Sequence, residues 1–139
     1  MRFAKIVFRV AGVWGILVLT PLFFLLDMVG RQDPPPVTHP AFYYGFASTA
    51  WAFQVAFLII GSNPLRFRPL MIPSMIEKFG YAIALVILYL QARVNPRDLV
   101  FGGVDFLLGV LFVISYLKTA GETSGWESHN RAKEANIVN

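Results

Sequence analysis

Four stretches of this chain are apolar for close to the length a helix needs to cross a bilayer, and that limits its fold more than anything else. Residues 10–26 lie without a charge between Arg9 and Asp27. Residues 40–65 hold no charged side chain, and 99–117 are interrupted only by Asp105. The stretch between Arg68 and Arg93 contains Glu77 and Lys78 and then an unbroken apolar run over 79–92. About 20 apolar residues span the hydrocarbon core as a helix, and in lipid the backbone must be satisfied within the segment. The sequence therefore predicts an all-α integral membrane four-helix bundle, antiparallel and up-down. The expected spans are 6–27, 42–61, 70–91 and 98–117. They form a transmembrane domain over 1–118, with a polar cytoplasmic tail at 119–139, mobile or folded as a short surface helix.

Composition agrees. The chain is 56% hydrophobic and 14% charged, against about 25% charged in soluble domains. It has no cysteine, which excludes disulfides, thiolate metal sites and thiol redox chemistry. His39 and His129 fall on opposite sides of the expected membrane, so no metal site is predicted, and no cofactor is implied. The basic residues are scattered through loops and ends, a distribution that does not suit nucleic acid. The first apolar run is longer than the core of about 7–15 residues in a signal peptide, and no A-x-A-like site follows it. An uncleaved anchor is expected.

Breakers separate the segments. Pro34, Pro35, Pro36 and Pro40 predict an extended first loop. Gly61-Ser62-Asn63-Pro64 stops the second helix. Asn95-Pro96-Arg97-Asp98 makes a short turn, with Asp98 or Asn95 capping the last helix. Short connections place neighbouring helices antiparallel. With both termini cytoplasmic, the inner side holds Arg2, Lys5, Arg9, Arg66, Arg68, Lys118, Arg131 and Lys133, and the outer side holds Arg31, Arg93 and Arg97. This excess fits the positive-inside rule and a multi-pass protein of the inner (plasma) membrane.

Helical periodicity sorts the faces. In the second segment Ala41, Gly45, Ser48, Ala52 and Ala56 form a small-residue stripe, expected to face the bundle because small side chains let helices approach closely in lipid. Phe42, Phe46, Phe53, Phe57 and Ile60 form another stripe, expected to face lipid. In the third segment Glu77, Gly80, Tyr81, Ala84, Leu88 and Gln91 share a face, while Lys78 points elsewhere. In the fourth, Gly102, Asp105, Gly109, Phe112 and Tyr116 share one, with Asp105 inward. In the first, Gly12 and Gly15 allow close approach, Pro21 kinks the helix or frees a carbonyl, and Thr20 and Asp27 share a face two turns apart.

Candidate ligand-binding or ion-coupling residues are Asp27, His39, Tyr43, Gln54, Glu77, Tyr81 and Asp105, since ionisable groups inside a membrane are costly and mark sites. Asp27 and Asp105 are expected to share an outward pocket with His39 or Tyr43 above it, and are the candidate catalytic pair. Glu77 is expected too deep to join them. It pairs instead with Arg66 or Arg68, or snorkels with Lys78.

The four closely spaced segments, the short length and the run Glu77-Lys78-Phe79-Gly80 resemble small bacterial four-helix inner-membrane proteins, including the DoxX-like group. An acid ending the first segment, Asp27, with a buried acid later, is similar to the EXPERA group of sterol isomerases and ligand-binding membrane proteins. That group expects acids in the second segment, where this chain has Gln54. Small multidrug exporters carry an acid inside their first helix, where this chain has none.

Three function classes remain open. The leading one is a binding, accessory or assembly subunit, partnered by the bilayer, a lipid or hydrophobic ligand, and a second copy or another membrane protein. The second is an oligomeric proton-coupled transporter using Glu77 or Asp105. The third is an enzyme acting on a lipid-like substrate with Asp27 and Asp105 as its acid/base pair.

Overall fold

A computed structural model provides the structure; it describes residues 1–32 and 36–137, with the backbone alone for 122–137. Pro34, Pro35 and the side chain of His129 lie outside the described residues. Helix α1 covers Arg2–Leu19, α2 Leu26–Gln32, α3 Pro40–Ser62, α4 Met71–Leu90 and α5 Asp98–Ile137. Tight 3₁₀ turns occupy Thr20–Phe24 and Arg68–Leu70. The stretches Arg2–Phe24, Pro40–Ser62, Arg68–Leu90 and Asp98–Gly121 are long and apolar enough to cross a membrane.

Pro21, which has no N–H to donate, sits where α1 tightens into its 3₁₀ turn. The Thr20 hydroxyl bonds back to the Ile16 carbonyl at 2.6 Å. From α3, Tyr43 donates its hydroxyl to the Leu22 carbonyl at 2.9 Å and Trp51 its Nε1 to the Thr20 oxygen at 3.1 Å. The break separates Thr20 from Asp27, so the helical face they were expected to share does not exist. Asp27 is exposed in the first turn of α2.

Two antiparallel pairs make the bundle. Along α1 and α3, Arg9 meets Gly61, Gly12 meets Leu58, Gly15 meets Gln54 and Leu22 meets Tyr43. Along α4 and α5, Phe79 meets Gly109 and Leu85 meets Gly102, with Arg68 just before α4 reaching Tyr116. An aromatic knot joins the pairs. Phe8 stacks on Phe112 at 4.2 Å between centroids, and Phe57 sets its edge against Phe8 and Phe112 at 6.1 and 4.9 Å. All three rings are fully buried, and each such pair contributes about 0.5–1.5 kcal/mol beyond area burial. Helices α3 and α4, consecutive in sequence, barely touch.

The packing faces differ from the expected ones. On α3 the buried residues are Ala47, Ala50, Gln54, Phe57, Ile60 and Gly61. Ala41, Gly45, Ser48 and Ala52 are exposed and Ala56 half-buried. The expected phenylalanine stripe divides: Phe42 and Phe46 are exposed, while Phe57 and Ile60 are core. On α4 the buried face carries Met71, Ser74, Lys78, Ala82 and Leu85, leaving Gly80 and Ala84 exposed. The reason is that α1 and α5 bring the glycines. Gly12 and Gly15 on α1 receive Leu58 and Gln54, and Gly102 and Gly109 on α5 receive Leu85 and Phe79. A small residue on one partner suffices for close approach. Beyond the expected boundary at residue 118, α5 continues unbroken to Ile137.

A methyl group at Gly12 would stand 2.9 Å from the backbone oxygen of Gln54, whereas Gly45 has open space around it. Gly12→Ala is expected to destabilise the protein by about 1–3 kcal/mol, and Gly45→Ala to leave it within about 0.5 kcal/mol. Thermal unfolding of the purified variants in detergent, followed by circular dichroism, checks both.

Candidate functional site

Lys78 lies between Ser74 and Ala82 on the buried face of α4. Its ammonium donates to Asp105 Oδ1 on α5 at 3.0 Å and to Glu77 Oε1 at 3.3 Å. Glu77 Oε2 is also 3.3 Å from Nζ, yet it accepts no hydrogen bond and is buried. On another side, Nζ stands 5.5 Å from the centroid of the Phe57 ring of α3. The side chains of Lys78, Glu77 and Asp105 are 7%, 19% and 17% exposed. An ammonium with this little water needs such partners, because a lone charge among apolar groups is costly.

Chain geometry explains the assembly. Neighbours on a helix point about 100° apart, which sends Lys78 inward and leaves Glu77 at its flank. The long lysine stem lets Nζ turn back towards Glu77 while reaching across to α5. At 1.5 Å per residue, Glu77 and Lys78 stand about 10 Å along α4 and Asp105 about 10 Å along α5. On the spans Arg68–Leu90 and Asp98–Gly121, Lys78 stands near the middle of its own and Asp105 about a third of the way along the other, and the lysine stem bridges the difference in depth. Glu77, expected to lie too deep to meet Asp105, is joined to it through the lysine. Phe79 and Phe106 pack edge to face beside the cluster at 5.7 Å.

A cleft of about 480 Å³ opens between α3 and α4. Ser48, Thr49, Ala52, Phe53 and Ala56 form one wall, and Leu70, Pro73 and Ser74 the other. Phe46 and Tyr81 stack across the gap at 6.1 Å. Glu77 lies one turn beyond Pro73 and Ser74 on α4. The outward stripe of α3 is thus one wall of this cleft. The Ser74 hydroxyl is already engaged with the Leu70 carbonyl at 2.7 Å.

The other candidates are dispersed. No hydrogen bond or ion pair joins Asp27 to Asp105 among the described residues, so the structure does not assemble the expected outward pair. The carbonyl of Asp27 accepts from Arg31 at 3.3 Å. His39 is exposed and pairs its Nδ1 with the Thr38 hydroxyl at 2.9 Å. Gln54 is buried against Gly15 and donates to the Ala50 carbonyl at 2.9 Å. Arg68, one of the partners weighed for Glu77, lies over the Tyr116 ring at 3.8 Å and donates to its carbonyl. Lys78 is the residue that reading the sequence left out. Charge balance was the available signal, since a lysine in a span between two acids has an obvious partner set. Among the described residues, no three His, Asp or Glu side chains are grouped to hold a metal ion. Compared with protein-family models, curated proteins and solved structures, the chain matches none of them.

Lys78→Met would leave two carboxylates facing a removed cation, and is expected to cost about 3 kcal/mol of stability. Replacing all three, Lys78→Met with Glu77→Gln and Asp105→Asn, should recover most of it. Detergent-solubilised thermal unfolding measures the difference; a Lys78→Met protein as stable as the parent would show that the cluster does not hold α4 to α5.

Proposed function

We propose that this chain is a binding or assembly subunit of the inner membrane that holds a lipid or another hydrophobic molecule between α3 and α4. The cleft is the observation that carries this reading. Two helices joined by a short loop stand apart, and the small-residue face of α3 turns towards the opening. A space of about 480 Å³ falls within the range of ligand pockets, about 300–1,000 Å³, and its walls are almost wholly apolar. In a bilayer such a concavity fills with an acyl chain or a ligand. The end of the bundle that holds Arg2, Arg9, Arg68 and Lys118 is the basic one, which supports cytoplasmic termini. The exposed apolar residues, Phe24, Phe42, Leu90 and Leu117 among them, suit contact with lipid.

A second reading, a proton-coupled transporter acting as an oligomer, draws on the charge cluster within the spans. The enzyme reading has less to stand on, because it needs Asp27 and Asp105 at one reacting centre.

Ala52→Phe should fill the cleft without disturbing the α1–α3 contact. Native mass spectrometry of the purified parent is expected to show a co-purified lipid-like mass that falls at least several-fold in this variant. Equal retention in both would refute the cleft as the binding place. The chain lacks cysteine, so single replacements report orientation. Thr38→Cys should react with an impermeant maleimide in intact cells, and Ser62→Cys only after permeabilisation.

A further inference from the structure

We infer that the Glu77–Lys78–Asp105 cluster is a binding site for one proton beyond that of the lysine ammonium, carried on Glu77. The cluster has this property whatever occupies the cleft. Two carboxylates share one ammonium, so the fully ionised cluster has a net charge of −1. Helix α4 adds Tyr81, a neutral phenol one turn from Glu77. Helix α5 adds Asp105. Helix α3 has no charged residue between Pro40 and Ser62 and presents the Phe57 ring. Arg68 is engaged with Tyr116, Arg66 stands over the Phe67 ring and Arg9 donates to the Gly61 carbonyl, while Arg93 and Arg97 lie in the connection before α5.

An unbalanced charge inside a span is costly, and one added proton removes it. The geometry favours Glu77 as its carrier. Asp105 takes the shorter bond from Nζ, 3.0 Å against 3.3 Å, and so remains the anionic partner. Glu77 keeps a second oxygen, Oε2, that is buried and accepts no hydrogen bond. That atom stands 3.3 Å from the ammonium without accepting a hydrogen bond, and a proton placed on it balances the cluster's charge. Glu77 also stands one turn along α4 from Pro73 and Ser74 of the cleft wall.

Infrared spectroscopy tests this directly. A protonated carboxyl has a C=O band above the amide I region, and an ester-free detergent leaves that window clear. Of the remaining acids, Asp27, Asp33 and Asp98 lie in or beside connections and Glu122, Glu127 and Glu134 in the C-terminal stretch. The parent protein at neutral pH is expected to show one such band, shifted on transfer to D₂O. Glu77→Gln and Asp105→Asn should each abolish it, because either leaves one carboxylate for one ammonium. Lys78→Met should about double it, and Glu77→Asp should move its frequency where Asp105→Glu does not. The unchanged amide I band serves as the fold check. Absence of the band from the parent, which needs no variant to fold, overturns the proposal. So does a band that survives Glu77→Gln.

Discussion

The ammonium of Lys78 sits where three helices converge, and the arrangement of α4 follows from its needs. It takes Asp105 from α5, Glu77 from its own helix and the ring face of Phe57 from α3. At this depth a lysine without partners would be far more expensive than one in water, so α4 turns the side that carries it inward. Ala82 and Leu85 follow on the same face and go against Gly102 of α5. Gly80 and Ala84 are left looking out. The partners of Lys78 and the glycines of α5 together turn this face of α4 inward and leave the small residues looking out.

The sequence made the spans legible because length and the absence of charge act over many residues at once, and no tertiary contact alters that sum. The faces were less legible, for a reason visible in α3. Its stripe of Gly45, Ser48, Ala52 and Ala56 satisfies the rule for close approach, but the rule needs a small residue on only one partner. Gly12 and Gly15 on α1 already provide it, and they accept Leu58 and Gln54 from the other side of α3. Periodicity shows which residues share a face; it does not show which face meets a neighbour. The site was partly legible for a similar reason. Glu77 and Asp105 stood out as acids within spans. Their meeting depended on the reach of the lysine between them, which a depth estimate from backbone position ignores. Asp27 also stood out, but the break after Leu19 took it away from the helix it was counted on.

The open space between α3 and α4 is the counterpart of the packing elsewhere. Helix α3 uses its large residues against α1, and α4 uses its buried face against α5. Each helix is thereby committed, and the side of each that faces the other in sequence order is left without a partner. The Phe46–Tyr81 stack spans the gap, and the aromatic knot of Phe8, Phe57 and Phe112 fastens the two pairs together. What remains between α3 and α4 is a lateral opening.

This division gives the charge cluster a place in any motion of the bundle. Lys78, Glu77 and Asp105 all belong to the α4–α5 pair, so their ion pairs hold within one unit. The contact of Nζ with Phe57 crosses to the other unit. Cation–π attraction of this kind contributes about 0.5–2 kcal/mol, more as water is excluded, and it depends on how fully the two carboxylates already satisfy the ammonium. Adding a proton to Glu77 weakens one of those carboxylate contacts and leaves the ammonium more dependent on the ring. The ring of Phe57 is thus the point at which the cluster meets the α1–α3 pair.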